Sequence, residues 1–355
     1  MMKFGLIGTG WRAEYYLRIA QSCPQHFAVT GIVGRTPSKT AELAHRFNIP
    51  VYDSPEQLAR QTQPDYVIIS VARGQALAII QSLTALGFPV LMETPAAETL
   101  PELHTIYALV QSGARIQVAE QYWAQPHHAA RLNFTRTGKL GAPTHAHISI
   151  AHGYHAVSLM RRFLNLTFEP VTITAASFTA PIIQGPTRAG FPAQESIVPS
   201  QQVIARFDFG DRLGIFDFTR DQYLSFIRAQ RLLVRGERGE LVDETVTYLT
   251  DFATPIRLNF TRHIAGANGN LEGNYLKGIQ VGEQWLYTNP FIPAPMSDEE
   301  IAIATCMLHM ERFLTTGQPF YSLAEAAQDR YLDLLMEQSL ATGLPVTSQP
   351  QPWHA

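Results

Sequence analysis

The stretch FGLIGTGWRA, residues 4–13, decides the fold, because a short apolar run leads straight into a glycine turn and then a helical pattern. Its spacing is GxGxxA, with Gly8, Gly10 and Ala13 at the fixed positions. The first glycine permits a tight turn, the second lets the backbone approach a pyrophosphate, and the small third residue keeps the helix close to the sheet. The helix N-terminus then faces the phosphates. The stretch predicts a dinucleotide-binding turn made by Gly8, Thr9, Gly10, Trp11, Arg12 and Ala13. The alternative is a glycine turn that only packs a helix on a sheet.

Strand-like and helical runs alternate downstream of this turn, which is typical of a doubly wound parallel sheet. The segments are KFGLIG (3–8), WRAEYYLRIAQS (11–22), AVTGIVG (28–34), SKTAELAHRF (38–47), DYVIISV (65–71), ALAIIQSLTALG (76–87) and PVLMET (89–94). We therefore predict an α/β protein whose N-terminal domain, residues 1–120, is a Rossmann domain that binds NAD(P).

After about residue 120 the pattern changes to longer alternating runs, typical of antiparallel sheet. The runs 201–210 and 211–220 are examples, and the stretch 231–246 predicts a hairpin whose short loop contains Gly236 and Gly239. Two helices with capping boxes follow, the first with Ser297 and Glu300 and ending at Gly317, the second with Ser322 and Glu325 and ending at Gly343. We predict a C-terminal α+β domain for substrate binding and oligomerisation over residues 121–345, and a flexible tail over 346–355.

Length and composition set the class of protein. A chain of 355 residues with 46% hydrophobic and 16% charged residues predicts a globular protein of about two domains. The net charge of −3 offers no basic surface for nucleic acid or an anionic membrane, so a small-molecule partner is favoured.

The cysteines bear on the cellular compartment. Cys23 and Cys306 have no metal-ligand spacing and indicate a reducing compartment. With no apolar run of about 18 residues, we expect a cytoplasmic protein.

The end of the second predicted strand bears on the choice of cofactor. An NAD-preferring fold usually places an acidic residue there for the ribose 2′-hydroxyl. This sequence has Gly34, Arg35 and Thr36 instead, and a guanidinium beside a hydroxyl suits a 2′-phosphate. The corner favours NADP, with Arg35 and Thr36 as contacts; the alternative is NAD, with Arg35 a solvated loop residue.

At VLMETPAA, residues 90–97, the sequence resembles the Glu-Lys-Pro motif of the glucose-fructose oxidoreductase/inositol dehydrogenase/MocA (Gfo/Idh/MocA) family. The resemblance extends over most of the chain. It includes ALGFPVLMETP (85–95), RTGKLG (136–141), GYHAVSLMRRFL (153–164), GERGEL (236–241), EEIAIATC (299–306) and YSLAEAAQDRYLDLLM (321–336). The resemblance implies a Rossmann domain, a C-terminal open antiparallel sheet that serves a homodimer or homotetramer, and oxidation or reduction of a sugar, polyol or related hydroxyl compound.

The chain departs from the family pattern at the residues that would carry the chemistry. The family's lysine falls on Thr94 and its aspartate on Ala151, so only His155 of that trio remains. The family's Pro-Asn near the nicotinamide corresponds to Ala72 and Arg73, which we expect at the cofactor, and a following histidine corresponds to Ala76.

A residue other than Thr94 must therefore act as the catalytic acid or base, because a threonine hydroxyl cannot protonate or deprotonate a substrate near neutral pH. We predict His155 as the catalytic acid or base and His152 as its assistant, since imidazole titrates near working pH. Either histidine can instead be a hydrogen-bonded structural residue. Glu93 is predicted to orient a substrate hydroxyl or support the cofactor, or else to order a loop through an ion pair. Thr94 is predicted at most to donate a hydrogen bond.

The segment QYWAQPHH, residues 121–128, follows what we expect to be the sixth strand. We predict Gln121 at the cofactor, and Tyr122, Trp123 and Tyr154 at the substrate, because aromatic faces suit sugar rings; core packing is the alternative for the aromatics. His145 and His147 alternate onto one face of a strand. No carboxylate or thiolate follows at the spacing of a metal ligand, so no metal is predicted.

Three function classes remain open. The first is an NAD(P)-dependent oxidoreductase in which His155 handles the hydroxyl proton. The second is a redox-assisted glycoside hydrolase with a tightly held nicotinamide, because Glu-x-Pro-Ala-Ala and the paired histidines resemble such enzymes; Glu93, His152 and His155 would act there. The third is a non-catalytic NADP-binding protein.

Overall fold

The computed structural model describes residues 1–72, 74–266 and 273–354. The chain divides into two compact units, each assembled from separate parts of the sequence. The first unit comprises Met1–Ala129, Arg262–Ile279 and Tyr287–Ala327, and the second comprises Ala130–Thr261, Gln280–Leu286 and Gln328–Ala355.

Helices and strands alternate in the first third of the chain, and strands predominate after it. The helices are α1 (Trp11–Ser22), α2 (Pro37–Phe47), α3 (Pro55–Thr62), α4 (Ala76–Ala85), α5 (Leu100–Gln111), α6 (Pro126–Thr135), α7 (Gly153–Leu164), α8 (Asp298–Thr316) and α9 (Leu323–Thr342). The first strands are β1 (Met2–Ile7), β2 (Phe27–Val33), β3 (Tyr66–Ile69), β4 (Val90–Met92), β5 (Ile116–Val118), β6 (Pro143–Ser149), β7 (Thr172–Ile183) and β8 (Ile197–Asp208). The remaining strands are β9 (Leu213–Thr219), β10 (Arg231–Gly236), β11 (Gly239–Val242), β12 (Thr245–Leu249), β13 (Pro255–Ala265), β14 (Tyr275–Val281), β15 (Gln284–Thr288) and β16 (Val346–Thr347).

The first unit contains a parallel sheet with the order β2-β1-β3-β4-β5. This confirms the predicted doubly wound domain. The described sheet has five strands, so the expectation that residues 121–128 follow a sixth strand is wrong; they follow β5. Helix α3 is absent from the predicted pattern, although Ser54 caps it by accepting a hydrogen bond from the Gln57 N–H.

The core of the first unit combines the two ends of its sequence. Phe4 and Leu6 of β1 and Tyr16 of α1 are fully buried in one cluster with Ile301 and Met307 of α8. Burial of these apolar side chains is the main favourable term that holds α8 against the first 129 residues. The compact units therefore differ from the predicted contiguous ranges 1–120 and 121–345, because α8 returns to the N-terminal core.

The larger sheet has the order β15-β14-β13-β12-β11-β10-β6-β9-β8-β7-β16 along the described chain. β8 pairs antiparallel with β7 and β9, and β10 and β11 form the predicted hairpin, in which Gly236 pairs with Gly239. β6 and β9 are parallel neighbours, so the sheet is mixed rather than purely antiparallel. The α+β architecture predicted for the C-terminal part is confirmed.

The capping boxes of α8 and α9 form as predicted. Ser297 and Glu300 exchange side-chain and backbone hydrogen bonds, as do Ser322 and Glu325. Both helices are followed by a glycine with positive φ, Gly317 at 73° and Gly343 at 69°. A left-handed residue at this position is the usual helix stop.

The prediction of a flexible tail over residues 346–355 is wrong. β16 pairs with β7, and Trp353 is 1% exposed, with its indole N–H donating to Gln328 Oε1 at 2.9 Å. Burial of a large aromatic side chain with a satisfied N–H stabilises a segment whose Pro- and Gln-rich composition suggested disorder.

No helix in the described ranges is both long enough and apolar enough to cross a bilayer.

Candidate functional site

The two glycines of the first turn differ in what surrounds them. Gly8 has φ of 124°, and a Cβ there would collide with the carbonyl oxygen of Ser70 at the end of β3, so the fold itself requires glycine. Gly10 has φ of −73° and ψ of 172°, which any residue adopts, and a Cβ there would meet no atom within 4 Å among the described residues other than its chain neighbours. Packing of the chain therefore gives no reason for glycine at position 10.

The open space at Gly10 lies at the N-terminus of α1. No side chain caps this helix, although first-turn N–H groups have no partner within their own helix. Ala13, the third position of the pattern, is fully buried. An uncapped helix N-terminus beside a backbone without a Cβ is the arrangement that accepts a pyrophosphate, so the residues present fit a dinucleotide.

The corner after β2 lies next to this turn. A Cβ on Gly34 would collide with the side chains of Thr9 and Thr40, which shows that the two loops are in contact. Arg35 and Thr36 are exposed, and no side chain caps α2, which begins just after Thr36. The predicted ribose corner is therefore beside the glycine turn, with an exposed guanidinium.

A pocket lies at the carboxyl ends of β3 and β4, where open α/β sheets bind ligands. Its lining includes Val71, Ala72, Glu93, Thr94 and Pro95, and the Thr94–Pro95 peptide bond is cis. Predicted site residues Ala72, Glu93 and Thr94 thus line one pocket. Arg73 lies outside the described residues.

Arg12, in the first turn of α1, places its guanidinium between two carboxylates. Its Nη1 donates to Glu299 Oε1 at 2.7 Å, and its Nε lies 3.6 Å from Glu93 Oε1. The three side chains are 16%, 27% and 15% exposed respectively, so water screens their charges only weakly. Burial alone would lower the pKa of Arg12, but the charges of Glu93 and Glu299 outweigh it and raise that pKa above its ordinary value.

Glu93 accepts two hydrogen bonds besides its ion pair with Arg12. The Tyr16 hydroxyl donates to its Oε1 at 2.6 Å, and the Thr94 N–H donates to its Oε2 at 3.2 Å. Burial raises the pKa of Tyr16 and the Glu93 carboxylate raises it further, so Tyr16 stays a donor. The geometry matches the alternative in which Glu93 orders a loop through an ion pair.

Gln121 is 1% exposed and its amide orientation is fixed by charge. Its Nε2 donates to Glu299 Oε1 at 3.1 Å, and Gln125 Nε2 donates to the other oxygen of Glu299 at 3.2 Å. Because only the amide nitrogen can donate to a carboxylate, Gln121 Oε1 must point away, and this buried oxygen has no partner among the described residues. Glu299 therefore joins α1 to the segment after β5.

Sequence reasoning missed the acidic N-terminus of α8 as part of the site. Asp298 is one residue before Glu299. Its carboxylate accepts hydrogen bonds from both Nη atoms of Arg262, at 2.8 and 2.9 Å, and one of its oxygens lies 3.4 Å from His127 Nδ1. Burial would raise the pKa of Asp298, but the hydrogen bonds from His127 and Arg262 lower it to about 2. The available signal was the run Asp298–Glu300, which the helix dipole alone explains, so nothing in it indicated Arg12 as a partner.

The predicted catalytic histidines lie in the second unit, at the start of α7. His152 is the N-cap residue, and its ring is 4.9 Å from that of His155, edge-on. The Tyr223 hydroxyl is 2.7 Å from His152 Nδ1 and accepts the His152 backbone N–H at 3.0 Å. His155 is 5% exposed. The structure brings His152 and His155 together, and it adds Tyr223, which the sequence analysis did not identify.

Two of the three aromatics predicted at the substrate are buried. Tyr122 is 7% exposed and Tyr154 is 2% exposed, and each packs against a histidine ring, Tyr122 on His128 and Tyr154 on His155. This burial matches core packing, the alternative, and the substrate role of both residues stays a prediction. Trp123 is partly exposed, and its substrate role stays a prediction.

His145 and His147 share a face of β6 as expected. His147 Nε2 lies 3.5 Å from Asp217 Oδ2. Within the described ranges, no group of three or more His, Cys, Asp or Glu side chains is arranged to hold a metal ion.

Comparison with known proteins supports the cofactor site. Residues 2–120 match the family model described as an oxidoreductase family with an NAD-binding Rossmann fold, Gfo/Idh/MocA. No curated protein sequence matches the chain.

Several solved structures share the fold at low sequence identity. A levoglucosan dehydrogenase in complex with NADH has 16% identity and a TM-score of 0.71, covering 99% of this chain and 100% of that chain. An oxidoreductase from Agrobacterium radiobacter, in complex with NAD+, L-tartaric acid and magnesium, has 15% identity and a TM-score of 0.69, covering 97% and 98%. A putative myo-inositol dehydrogenase from Sinorhizobium meliloti 1021 has 15% identity and a TM-score of 0.64, covering 98% and 99%.

A doubly wound sheet with an open glycine turn at its first strand–helix junction is the arrangement of a Rossmann domain. Residues 2–120 match the model of the Gfo/Idh/MocA oxidoreductase family, so the N-terminal domain is similar to the Rossmann domain of that family. The resemblance stated from the sequence is confirmed over this domain.

Proposed function

We propose that the protein is an NAD(P)-dependent oxidoreductase that acts on a sugar, polyol or related hydroxyl compound by hydride transfer. The observation that carries the proposal is the open space at Gly10 beside the uncapped N-terminus of α1. The family match over residues 2–120 supports it. A levoglucosan dehydrogenase with NADH and L-sorbose is among the proteins of similar fold, which favours a carbohydrate substrate.

Residues of both units have roles in this proposal. Backbone N–H groups at residues 9–13 bind the diphosphate, and Arg35 and Thr36 bind a 2′-phosphate. When bound, the cofactor supplies the hydride acceptor or donor. His155 takes the proton from the substrate hydroxyl or returns it, and His152 orients that group. Thr94 donates a hydrogen bond but moves no proton.

Arg12 has a different role from the one its position in the glycine turn suggests. Its guanidinium already faces two carboxylates, so its charge is compensated within the protein. We propose that Arg12 contributes a backbone N–H to cofactor binding, while its side chain holds the first turn of α1 in place.

Replacing Gly10 by alanine separates cofactor binding from folding. We expect Gly10→Ala to weaken binding of the pyridine nucleotide by tenfold or more, equivalent to about 1.4 kcal/mol, because the added methyl group takes the space where the diphosphate approaches. We expect the unfolding temperature to stay within about 2 °C, because the backbone conformation at Gly10 suits any residue and the Cβ meets no protein atom. Calorimetric titration with NADP+ and NAD+, together with thermal unfolding, gives both quantities. Unchanged affinity in a folded variant would contradict the proposed site.

Turnover distinguishes the three function classes. The purified protein is supplied with NADP+ or NAD+ and a panel of sugars, polyols and aryl glycosides. Steady cofactor reduction supports the oxidoreductase. Aglycone release without net reduction indicates the glycoside hydrolase, and cofactor binding without either reaction indicates the non-catalytic protein.

Arg35 tests the choice between the two cofactors. We expect Arg35→Ala to weaken NADP+ binding about tenfold or more while changing NAD+ binding less than twofold, because a charge-assisted hydrogen bond to a phosphate contributes about 1.5–3 kcal/mol. Arg60→Ala, which removes another exposed guanidinium of the same unit, is the matched control. Equal losses for both cofactors would overturn the NADP preference.

We also propose a homodimer or homotetramer formed through the C-terminal sheet. Phe178 on β7 is 62% exposed and Ile204 on β8 is 46% exposed, and the register of the two strands makes them diagonal neighbours on one face. Exposed apolar residues on a sheet face favour association. A monomer mass in solution by light scattering would exclude it.

A further inference from the structure

We propose that Tyr223 is a positioning residue for His152, holding its ring with the proton on Nε2. The inference rests on the proposed oxidoreductase function and extends it to a residue that neither the family pattern nor the sequence analysis indicates. It is carried by two hydrogen bonds, between the Tyr223 hydroxyl and the His152 backbone N–H at 3.0 Å and between that hydroxyl and His152 Nδ1 at 2.7 Å.

The topology of the second unit brings the two residues together. β6 and β9 are parallel neighbours, so their carboxyl ends meet at the same edge of the sheet. His152 follows β6, and Tyr223 ends the short 3₁₀ helix Arg220–Tyr223 that follows β9. The residues are 71 positions apart in sequence, and the parallel pairing of the two strands brings them into contact.

The residue before Tyr223 fixes its backbone to the same edge. Gln222 is 7% exposed, and its Nε2 donates to both Ser149 O and Ser149 Oγ at 3.0 Å. Gln222 Oε1 also accepts the Thr219 N–H at 2.9 Å, which closes the turn. The Phe218 ring packs edge-on against Tyr223 at 5.1 Å between ring centroids. Tyr223 is therefore held from the end of β6, directly before the segment that carries His152.

Chemistry fixes the direction of one of these two hydrogen bonds. A backbone N–H only donates, so the Tyr223 oxygen accepts the His152 N–H. The hydroxyl has one proton and a second lone pair, and we assign it as the donor to Nδ1. Nδ1 is then the acceptor, and a neutral imidazole carries its proton on Nε2. The ring of His152 lies edge-on to that of His155.

This tautomer has a consequence for the proposed reaction. An imidazole N–H donates a hydrogen bond to a substrate oxygen, a task for which the family pattern provides a lysine where this chain has Thr94. His155, whose ring lies 4.9 Å from that of His152, then acts on the proton of the same hydroxyl group. Asp333, paired with Arg330, lies against Gly153 at the start of α7.

The test is the tautomer of His152, measured in the full-length protein without turnover. Long-range ¹H–¹⁵N spectra of ¹⁵N-histidine-labelled protein distinguish a protonated from an unprotonated ring nitrogen, and His152→Gln identifies the signal. In the unmodified protein we expect an unprotonated Nδ1 and a protonated Nε2. In Tyr223→Phe, which keeps the ring and removes the hydroxyl, we expect a mixture of tautomers. Tyr248→Phe, on β12 of the same unit, is the matched control and leaves the spectrum unchanged.

Kinetics complete the test if the unmodified protein turns over a substrate. We expect Tyr223→Phe to lower kcat about tenfold with the cofactor Kd unchanged, because the donor is misplaced while the cofactor site is intact. A His152 spectrum that is identical in Tyr223→Phe and the unmodified protein overturns the positioning role, whatever the activity. A changed spectrum in a protein without hydride transfer supports the tautomer assignment and overturns the proposed function instead.

Discussion

Arg12→Met is expected to lower the free energy of unfolding by about 3 kcal/mol, because it leaves Glu93 and Glu299 as partly buried carboxylates without their shared cation. Methionine keeps most of the apolar stem, so the loss comes from charge rather than from a cavity. Urea unfolding followed by tryptophan fluorescence measures it, and the change should appear in the midpoint with the slope preserved.

Two further variants make this result specific. Arg18 pairs with Glu300 on the same two helices, but its side chain is 41% exposed, so Arg18→Met should lower the free energy of unfolding by about 1 kcal/mol or less. Combining Arg12→Met with Glu299→Gln should recover part of the loss, because one of the two uncompensated charges is then absent. If Arg12→Met lowers the free energy of unfolding no more than Arg18→Met does, Glu93 and Glu299 do not need the charge of Arg12 for stability.

The Arg12 network also shows which parts of the site were accessible from sequence. The glycine turn was accessible, because the GxGxxA spacing of Gly8, Gly10 and Ala13 falls within six residues. Gly8 and Ala13 are small where the fold leaves no room, and Gly10 leaves open space beside the helix N-terminus. The capping boxes of α8 and α9 were predictable for the same reason, since Ser297 and Glu300 recognise each other across one helical turn.

Contacts between residues far apart in the chain could not be predicted from the sequence. Glu299 reaches Arg12 across 287 positions, and its sequence neighbours explain an acidic residue there through the helix dipole alone. Tyr223 reaches His152 only because β6 and β9 are parallel, whereas the alternating pattern indicated antiparallel strands. The composition of residues 346–355 predicts a disordered tail, but composition carries no information about the distant residues against which Trp353 is buried.

The orientation of the aromatic residues was not accessible either. An aromatic residue beside a binding motif carries the same sequence signal whether its ring faces a ligand or the core. Tyr122 and Tyr154 are buried in the structure, while Trp123 is partly exposed. The sequence placed these residues near the right elements, but it carried no information on which way each ring points.

His155→Gln is expected to lower kcat/KM by about 10²- to 10⁴-fold, the range that a positioned acid or base contributes. Glutamine keeps a polar side chain of similar size at this buried position, but it has no group that titrates near neutral pH. The cofactor Kd should change less than twofold, because the glycine turn belongs to the first compact unit and His155 to the second. Stopped-flow reduction of the cofactor with the preferred substrate measures the chemical step.

The control for this variant is a histidine that the mechanism does not use. His145 lies on β6 of the same unit, and burial, followed by the charge of Arg235, lowers its pKa below the ordinary value. His145→Gln should leave kcat/KM within about twofold. Since Thr94 replaces the family's lysine, an unchanged rate in His155→Gln would point to His152, whose ring lies 4.9 Å from that of His155, as the group that performs the proton transfer. Loss of turnover in both His155→Gln and His152→Gln, with folding and cofactor affinity intact, would instead show that the two rings act as one unit.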